Sequence, residues 1–118
     1  MTKKIKSINP YTGDSIKTYE THTTQEVSSI LKTADQTFSS WSTTPINERA
    51  ELMSRAGEVL LENKKEYAEM ITAEMGKPIT QSIAEIEKCA WVCEFYAVNA
   101  AQFLADAMIE TEASESFI

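Results

Sequence analysis

The sequence predicts a mainly α fold: a β-hairpin over residues 4–19 followed by about four helices, near 24–42, 45–62, 64–75 and 80–107. Three observations carry this. Residues 4–8 and 15–19 alternate polar with apolar or β-branched side chains around Asn9-Pro10-Tyr11-Thr12-Gly13-Asp14, a cluster of turn formers. From Thr23 onward the apolar period changes from two to three or four, which is the signature of helix. Gly76 and Pro78 then interrupt that pattern once, dividing it into helical blocks.

The hairpin comes first. Two strands alone are marginal in water, so it is expected to lie against the helices or to join a sheet supplied from beyond this chain. In the first helix Val27, Ile30, Leu31, Ala34, Phe38 and Trp41 share one stripe. Thr23 and Glu26 have the spacing of a capping box, whose hydroxyl and carboxylate satisfy orphan amides at a helix start. Pro45 suits the first turn of the second helix, where its missing N–H costs nothing. Leu52, Ala56, Val59 and Leu60 are that helix's expected buried stripe.

Asn63 is placed to cap a third helix with Tyr67, Met70, Ile71 and Met75 inward. Gly76 closes it in the left-handed conformation, and Pro78 prevents resumption. The fourth helix carries Ile83, Ile86, Ala90, Cys93, Ala97, Ala100 and Leu104, followed by a polar loop over 110–116. No internal repeat, low-complexity segment or interdomain linker interrupts the chain.

Composition excludes several functions. The 118 residues are 42% hydrophobic, enough for a packed core, and carry a formal net charge of −7, which disfavours gripping a phosphate backbone. Nucleic acid is not an expected partner. No membrane span or signal peptide is read, and two cysteines are too few for a disulfide framework, so a cytoplasmic protein is expected.

The residue types that could carry chemistry have plainer readings. Cys89 and Cys93 stand at i and i+4 of the fourth helix. A structural metal site takes about four ligands, and His22, the one histidine, is far away in sequence. A nucleophile needs a nearby base or a helix N-terminus, which Ala90 and Val92 do not supply. A disulfide within one helix is awkward, so buried structural thiols are expected. Gly76-Lys77-Pro78 lacks the further glycines and the preceding strand of a phosphate loop, and a helix stop explains it. Glu85, Glu87 and Glu94 read as a solvated face, and His22 as a surface loop residue. Trp91, Phe95, Tyr96 and Phe103, with Phe38, have the spacing of core packing.

A family resemblance adds to this. Glu74-Met75-Gly76-Lys77-Pro78 with the amphipathic stretch 83–97 behind it, Ile8-Asn9-Pro10-Tyr11-Thr12-Gly13 near the start, and Glu48-Arg49-Ala50-Glu51-Leu52 occur in one order and spacing over nearly the whole chain. Together they resemble the N-terminal part of the NAD(P)-dependent aldehyde dehydrogenases, and within them the succinate-semialdehyde dehydrogenase group. The resemblance implies an α/β, Rossmann-like parent, with residues 1–118 as an incomplete N-terminal part of its dinucleotide-binding domain. It also implies a homo-oligomeric enzyme in which a cysteine outside this chain forms a thiohemiacetal with a small aldehyde, with NAD or NADP as oxidant. The remainder of the dehydrogenase is then this chain's partner. No residue here receives a catalytic, cofactor-binding or metal role, and the chain alone is expected to be inactive and cofactor-free. Its last residues, Phe117-Ile118, read as the start of a strand, so a truncation is expected.

The resemblance further implies that one face of the fourth helix lines the tunnel to the nucleophile. On the match of residues 92–97 to the family's aromatic-aromatic-alanine segment, Lys88 and Ala84 fall on that face, and an ammonium there suits an aldehyde bearing a carboxylate. The competing reading of Lys88 is a solvated lysine. Two rivals stand beside the dehydrogenase: a non-enzymatic acidic helical module with its apolar stripes buried internally, and an aldehyde dehydrogenase of other specificity.

Overall fold

The computed structural model describes residues 3–112. Strands β1 (Lys4–Ile8) and β2 (Ser15–Glu20) form an antiparallel hairpin, followed by α1 (Thr24–Trp41), α2 (Ile46–Glu62), α3 (Lys64–Met75) and α4 (Ile79–Phe103). The hairpin with four helices is therefore as the patterning implies. Residues 113–118, which include the end of the expected polar loop and the expected strand start, lie outside the described residues. Among the described residues no helix is long and apolar enough to cross a membrane.

Local chemistry accounts for the hairpin turn. The Asn9 side-chain oxygen accepts from the amides of Tyr11 at 2.9 Å and Thr12 at 3.3 Å, a side-chain mimic of a backbone turn. Gly13 reaches φ 80°, open to glycine at little cost, and its amide donates to the Asn9 carbonyl at 2.8 Å. The register slips between Ser7 and Ile8, so Ile8 pairs with Ser15. The hairpin rests on the α3–α4 corner: Ser7 Oγ donates to Glu74 at 2.6 Å, and a Cβ on Gly76 would stand 3.0 Å from Pro10 Cγ.

Gly76 is thus required twice. Its φ of 70° ends α3, with its amide bonded to the Thr72 carbonyl, and its bare Cα admits the hairpin turn. Ser82, fully buried one turn into α4, shares a 3.0 Å hydrogen bond with the Thr72 hydroxyl and ties the two helices across the corner. A buried hydroxyl is tolerated because it is bonded.

The core sits between α2, α3 and α4 and is made of small groups: Gly57, Ala68, Ser82, Ile86 and Ala90 are its buried residues. A Cβ on Gly57 would meet the Ala90 carbonyl oxygen at 3.1 Å and Cys93 Cβ at 3.3 Å. Backbone of α2 therefore lies directly against α4. This close approach departs from the expected stripe of larger side chains on α2. Val59 and Leu60 are half-buried, but Ala56 is exposed and Leu52 is 57% exposed, because the contact face is turned toward Gly57. On α3 Tyr67 and Ile71 are half-buried while Met70 and Met75 are exposed, and Ala68 takes the inward position.

Three further expectations are corrected. Asn63 stands at the N-cap position of α3 as expected, but its side chain serves α2 instead: Nδ2 donates to the Val59 carbonyl at 2.9 Å and gives no cap bond to α3. Helix α4 ends at Phe103, not near 107: Leu104 takes the C-cap position, its amide donating to the Ala100 carbonyl at 3.0 Å, and its side chain is 70% exposed, so no burial rewards a further turn there. The apolar stripe of α1 is unburied: Val27, Ile30, Leu31 and Trp41 are exposed and Phe38 is 65% exposed. The capping box itself forms as expected, with the Thr23 amide donating to Glu26 Oε2 at 2.7 Å and the Glu26 amide to Thr23 Oγ1 at 3.2 Å.

The α-carbon radius of gyration is 20.9 Å. A compact domain of this length has about 13.5 Å. The chain is an extended layer, with its helices packed on one side only. An independent helical module would have buried the α1 stripe within itself.

Three outcomes follow. Gly57→Ala should lower stability by up to about 2 kcal/mol, since overpacking against the Ala90 backbone costs about 1–3 kcal/mol and helix propensity returns roughly 1; a urea midpoint that rises instead would contradict the close contact. The chain alone should bind ANS strongly through the α1 stripe, and a dye-silent protein would show that face to be covered. The bonds from Thr23, with His22 a lesser cause, hold the Glu26 carboxyl below its ordinary value. A lowered carboxylate pKa stabilises above the unfolded value and is lost as pH falls through the folded one. Helicity at the start of α1 should therefore decline on acidification below the ordinary glutamate range, and Glu26→Gln should remove that dependence in amide NMR of Val27.

Candidate functional site

Helix α4 packs α2 along Ile86, Ala90 and Cys93, residues spaced four and three apart. Beside that stripe, along the flank that runs from Ala84 to Cys93, an open groove of 730 Å³ forms. Lys77, Ala84, Glu85, Lys88, Cys89 and Cys93 are among the residues that line it. Lys77 comes from the corner that Gly76 and Pro78 create, the others from successive turns of α4. The structure therefore brings Lys88 and Ala84 into one groove, one helical turn apart.

The groove's charges are unequal in state. Lys77 Nζ is ion-paired with the Glu85 carboxylate. Lys88 has no ion-pair or hydrogen-bond partner among the described residues, and its side chain is exposed. One cation cancels within the groove and one remains available to a ligand.

Cys89 and Cys93 are not the buried thiols expected. Cys89 is exposed and Cys93 half-buried, both free. The reason is angular: Cys93 continues the packed stripe through Ile86 and Ala90, whereas Cys89 precedes Ala90 by one residue and is turned about 100° away from it. Among the described residues no group of three or more His, Cys, Asp or Glu is arranged to hold a metal, and His22 is an exposed residue 3.9 Å from Glu26.

The three glutamates of α4 are exposed, as a solvated face requires, yet each has a partner that braces the helix. Glu85 pairs with Lys77, Glu87 with Lys64 of α3 at 2.7 Å, and Glu94 accepts from Ser54 of α2 at 2.8 Å. Such exposed contacts are each worth under about 1 kcal/mol, so they orient α4 more than they stabilise it. The aromatic residues differ from the expected core. Phe95 contacts Trp91, Tyr96 and Phe103 at centroid distances of 5.9, 5.4 and 6.0 Å, but Trp91 is 65% exposed, and Phe38 stands apart on α1. The set forms an exposed ladder along α4.

Gly57, Ala68 and Ser82 escape a reading based on large apolar periodicity. The signal for them is the pair of small residues, Gly57 and Ala90, that a close helix crossing needs.

The arrangement has close counterparts. A probable succinate-semialdehyde dehydrogenase (NADP+) of Synechocystis is 43% identical over 114 residues, covering 97% of this chain and 25% of the relative. A succinate semialdehyde dehydrogenase (NAD(P)+) of Escherichia coli K12 is 40% identical over 91 residues, or 77% of this chain and 20% of the relative. The crystal structure of succinic semialdehyde dehydrogenase from Streptococcus pyogenes in complex with NADP+ superimposes with a TM-score of 0.89 at 27% identity, over 95% of this chain and 25% of that one. The chain thus spans about a quarter of the length of the curated relatives it matches. The aldehyde dehydrogenase family model matches residues 1–118 in full, and the chain belongs to the aldehyde dehydrogenase family.

Proposed function

We propose that this chain is the N-terminal part of the dinucleotide-binding domain of an NAD(P)-dependent, cytoplasmic, homo-oligomeric aldehyde dehydrogenase that oxidises succinate semialdehyde. Lys88 and Ala84 line the passage by which the aldehyde enters. The observation that carries the substrate reading is the unpaired ammonium of Lys88 in a groove whose other lysine is neutralised. An aldehyde with a distal carboxylate complements it. The names of the relatives in Synechocystis and Escherichia coli support the same substrate.

In this proposal a cysteine thiolate outside the chain attacks the aldehyde carbon, and a water activated by a glutamate, also outside it, later releases the acid. NAD(P)+ accepts the hydride when bound. The chain's own residues do not fit a dinucleotide cradle. Gly13 serves a hairpin turn, Gly57 a helix crossing and Gly76 a helix stop, and none opens a glycine-rich strand-to-helix turn. What these residues do is positional. Lys88 holds the distal carboxylate, Ala84 leaves room one turn away, and the Lys77–Glu85 pair keeps the groove from attracting anions along its whole length. The exposed stripe of α1 and the one-sided packing of α4 are surfaces that the remainder of the enzyme covers.

The test is a chimera in which this chain replaces the matched 114-residue segment of the Synechocystis relative. Lys88→Met keeps the aliphatic bulk and removes the charge. A charge-assisted hydrogen bond of about 1.5–3 kcal/mol corresponds to a fall in kcat/KM of roughly one to two orders of magnitude for succinate semialdehyde. A neutral aldehyde of equal length should be nearly unaffected. Equal losses on both substrates, or none on either, would remove Lys88 from the passage. A folded, NADP-binding chimera that ignores succinate semialdehyde would overturn the substrate itself.

A further inference from the structure

We propose that Cys89 and Cys93 form a chelating dithiol site for trivalent arsenicals, soft electrophiles that make two bonds to sulfur. Both thiols are free and both open on the same groove, independently of what substrate that groove admits. They lie one turn apart within α4, where Cβ atoms at i and i+4 are about 5–6 Å from each other. A disulfide needs a Cβ separation of about 3.5–4.5 Å and would force the helix open. An arsenic centre inserts two bonds between the sulfurs and spans the wider gap with the helix intact.

The surroundings narrow the ligand class. On one side Cys93 is closed in by α2, where a Cβ on Gly57 would come within 3.3 Å of its own Cβ, so the groove is its open side. Among the described residues no third His, Cys, Asp or Glu completes a cluster with the pair. Zinc takes four ligands and is poorly served, whereas an organoarsenic(III) oxide is satisfied by two thiols and its own carbon substituent. The reaction balances without redox change. Two S–H bonds and the arsenic–oxygen bond break, two As–S bonds form, and the thiol protons leave with the oxide oxygen as water.

Phenylarsine oxide titrated into the phosphine-reduced 118-residue chain provides the test. One equivalent should remove both thiols from reaction with Ellman's reagent while far-ultraviolet circular dichroism retains its helical form. A small dithiol such as 2,3-dimercaptopropanol should reverse binding, and a monothiol should not. Cys89→Ser and Cys93→Ser should each weaken apparent affinity by about 100-fold or more, because closing the second bond acts at an effective concentration in the millimolar range. One thiol lost per equivalent, collapse of helicity on binding, or a single variant that binds like the parent would each overturn the site. The stoichiometry on the unsubstituted chain decides the matter even if a variant misfolds.

Discussion

The contact that the rest of the structure depends on is the approach of α2 to α4 at Gly57, where one helix lies against the Ala90 carbonyl of the other with no side chain between. Small residues at a crossing let backbones come together, and the many short contacts that result replace the contribution of a large apolar side chain. That contact selects the face of α4 turned inward. Ile86, Ala90 and Cys93 face the packed side, so the neighbouring positions Ala84, Lys88 and Cys89 open on the groove. A helix crossing thus sets the chemistry of the adjoining surface.

The corner between α3 and α4 fixes the other end of that surface. Gly76 stops α3, Pro78 starts α4, and Ser82 bonds back to Thr72, so the turn has little freedom. Lys77 is carried on that turn, and its pairing with Glu85 is a consequence of the turn's shape rather than of helical spacing. Pro10 of the hairpin occupies the space that a side chain at Gly76 would fill. Strand, helix stop and groove are therefore linked through two glycines that do unrelated jobs: one admits a helix, the other a turn.

Much of this was legible in the sequence where the determinant is local. The Thr23–Glu26 capping box, the Gly76 stop and the turn-former cluster at 9–14 each act within a few residues, and each forms as read. Burial was less legible because it depends on what an element meets. The α1 stripe has a helix's period but meets no burying surface among the described residues, and Leu52 loses the inward position to a glycine that offers no hydrophobic signal at all. Asn63 has the residue type of an N-cap, yet α2 and α3 meet at that single residue, and its amide closes the first helix before it can start the second. Of the groove, Lys88 and Ala84 were reached through the family resemblance and not through spacing, and the neutralisation of Lys77 was not readable at all, since the partner lies eight residues away across a turn.

Under the proposed function, the difference between Lys77 and Lys88 is what gives the groove its selectivity. Two unpaired ammonium groups would draw anions of any size along its length. Pairing one with Glu85 converts it into a neutral wall, and the attraction is concentrated at a single point one turn from Ala84. In an open, solvated groove a lone cation gains little from a carboxylate, because at about 4 Å the attraction in bulk water is only ~1 kcal/mol. The same pair gains several-fold when a second wall excludes water and lowers the local dielectric. Under the proposed function the one-sided packing of α4 leaves the place for that wall, and the bare apolar surface and the unpaired lysine are then two aspects of one half-built site.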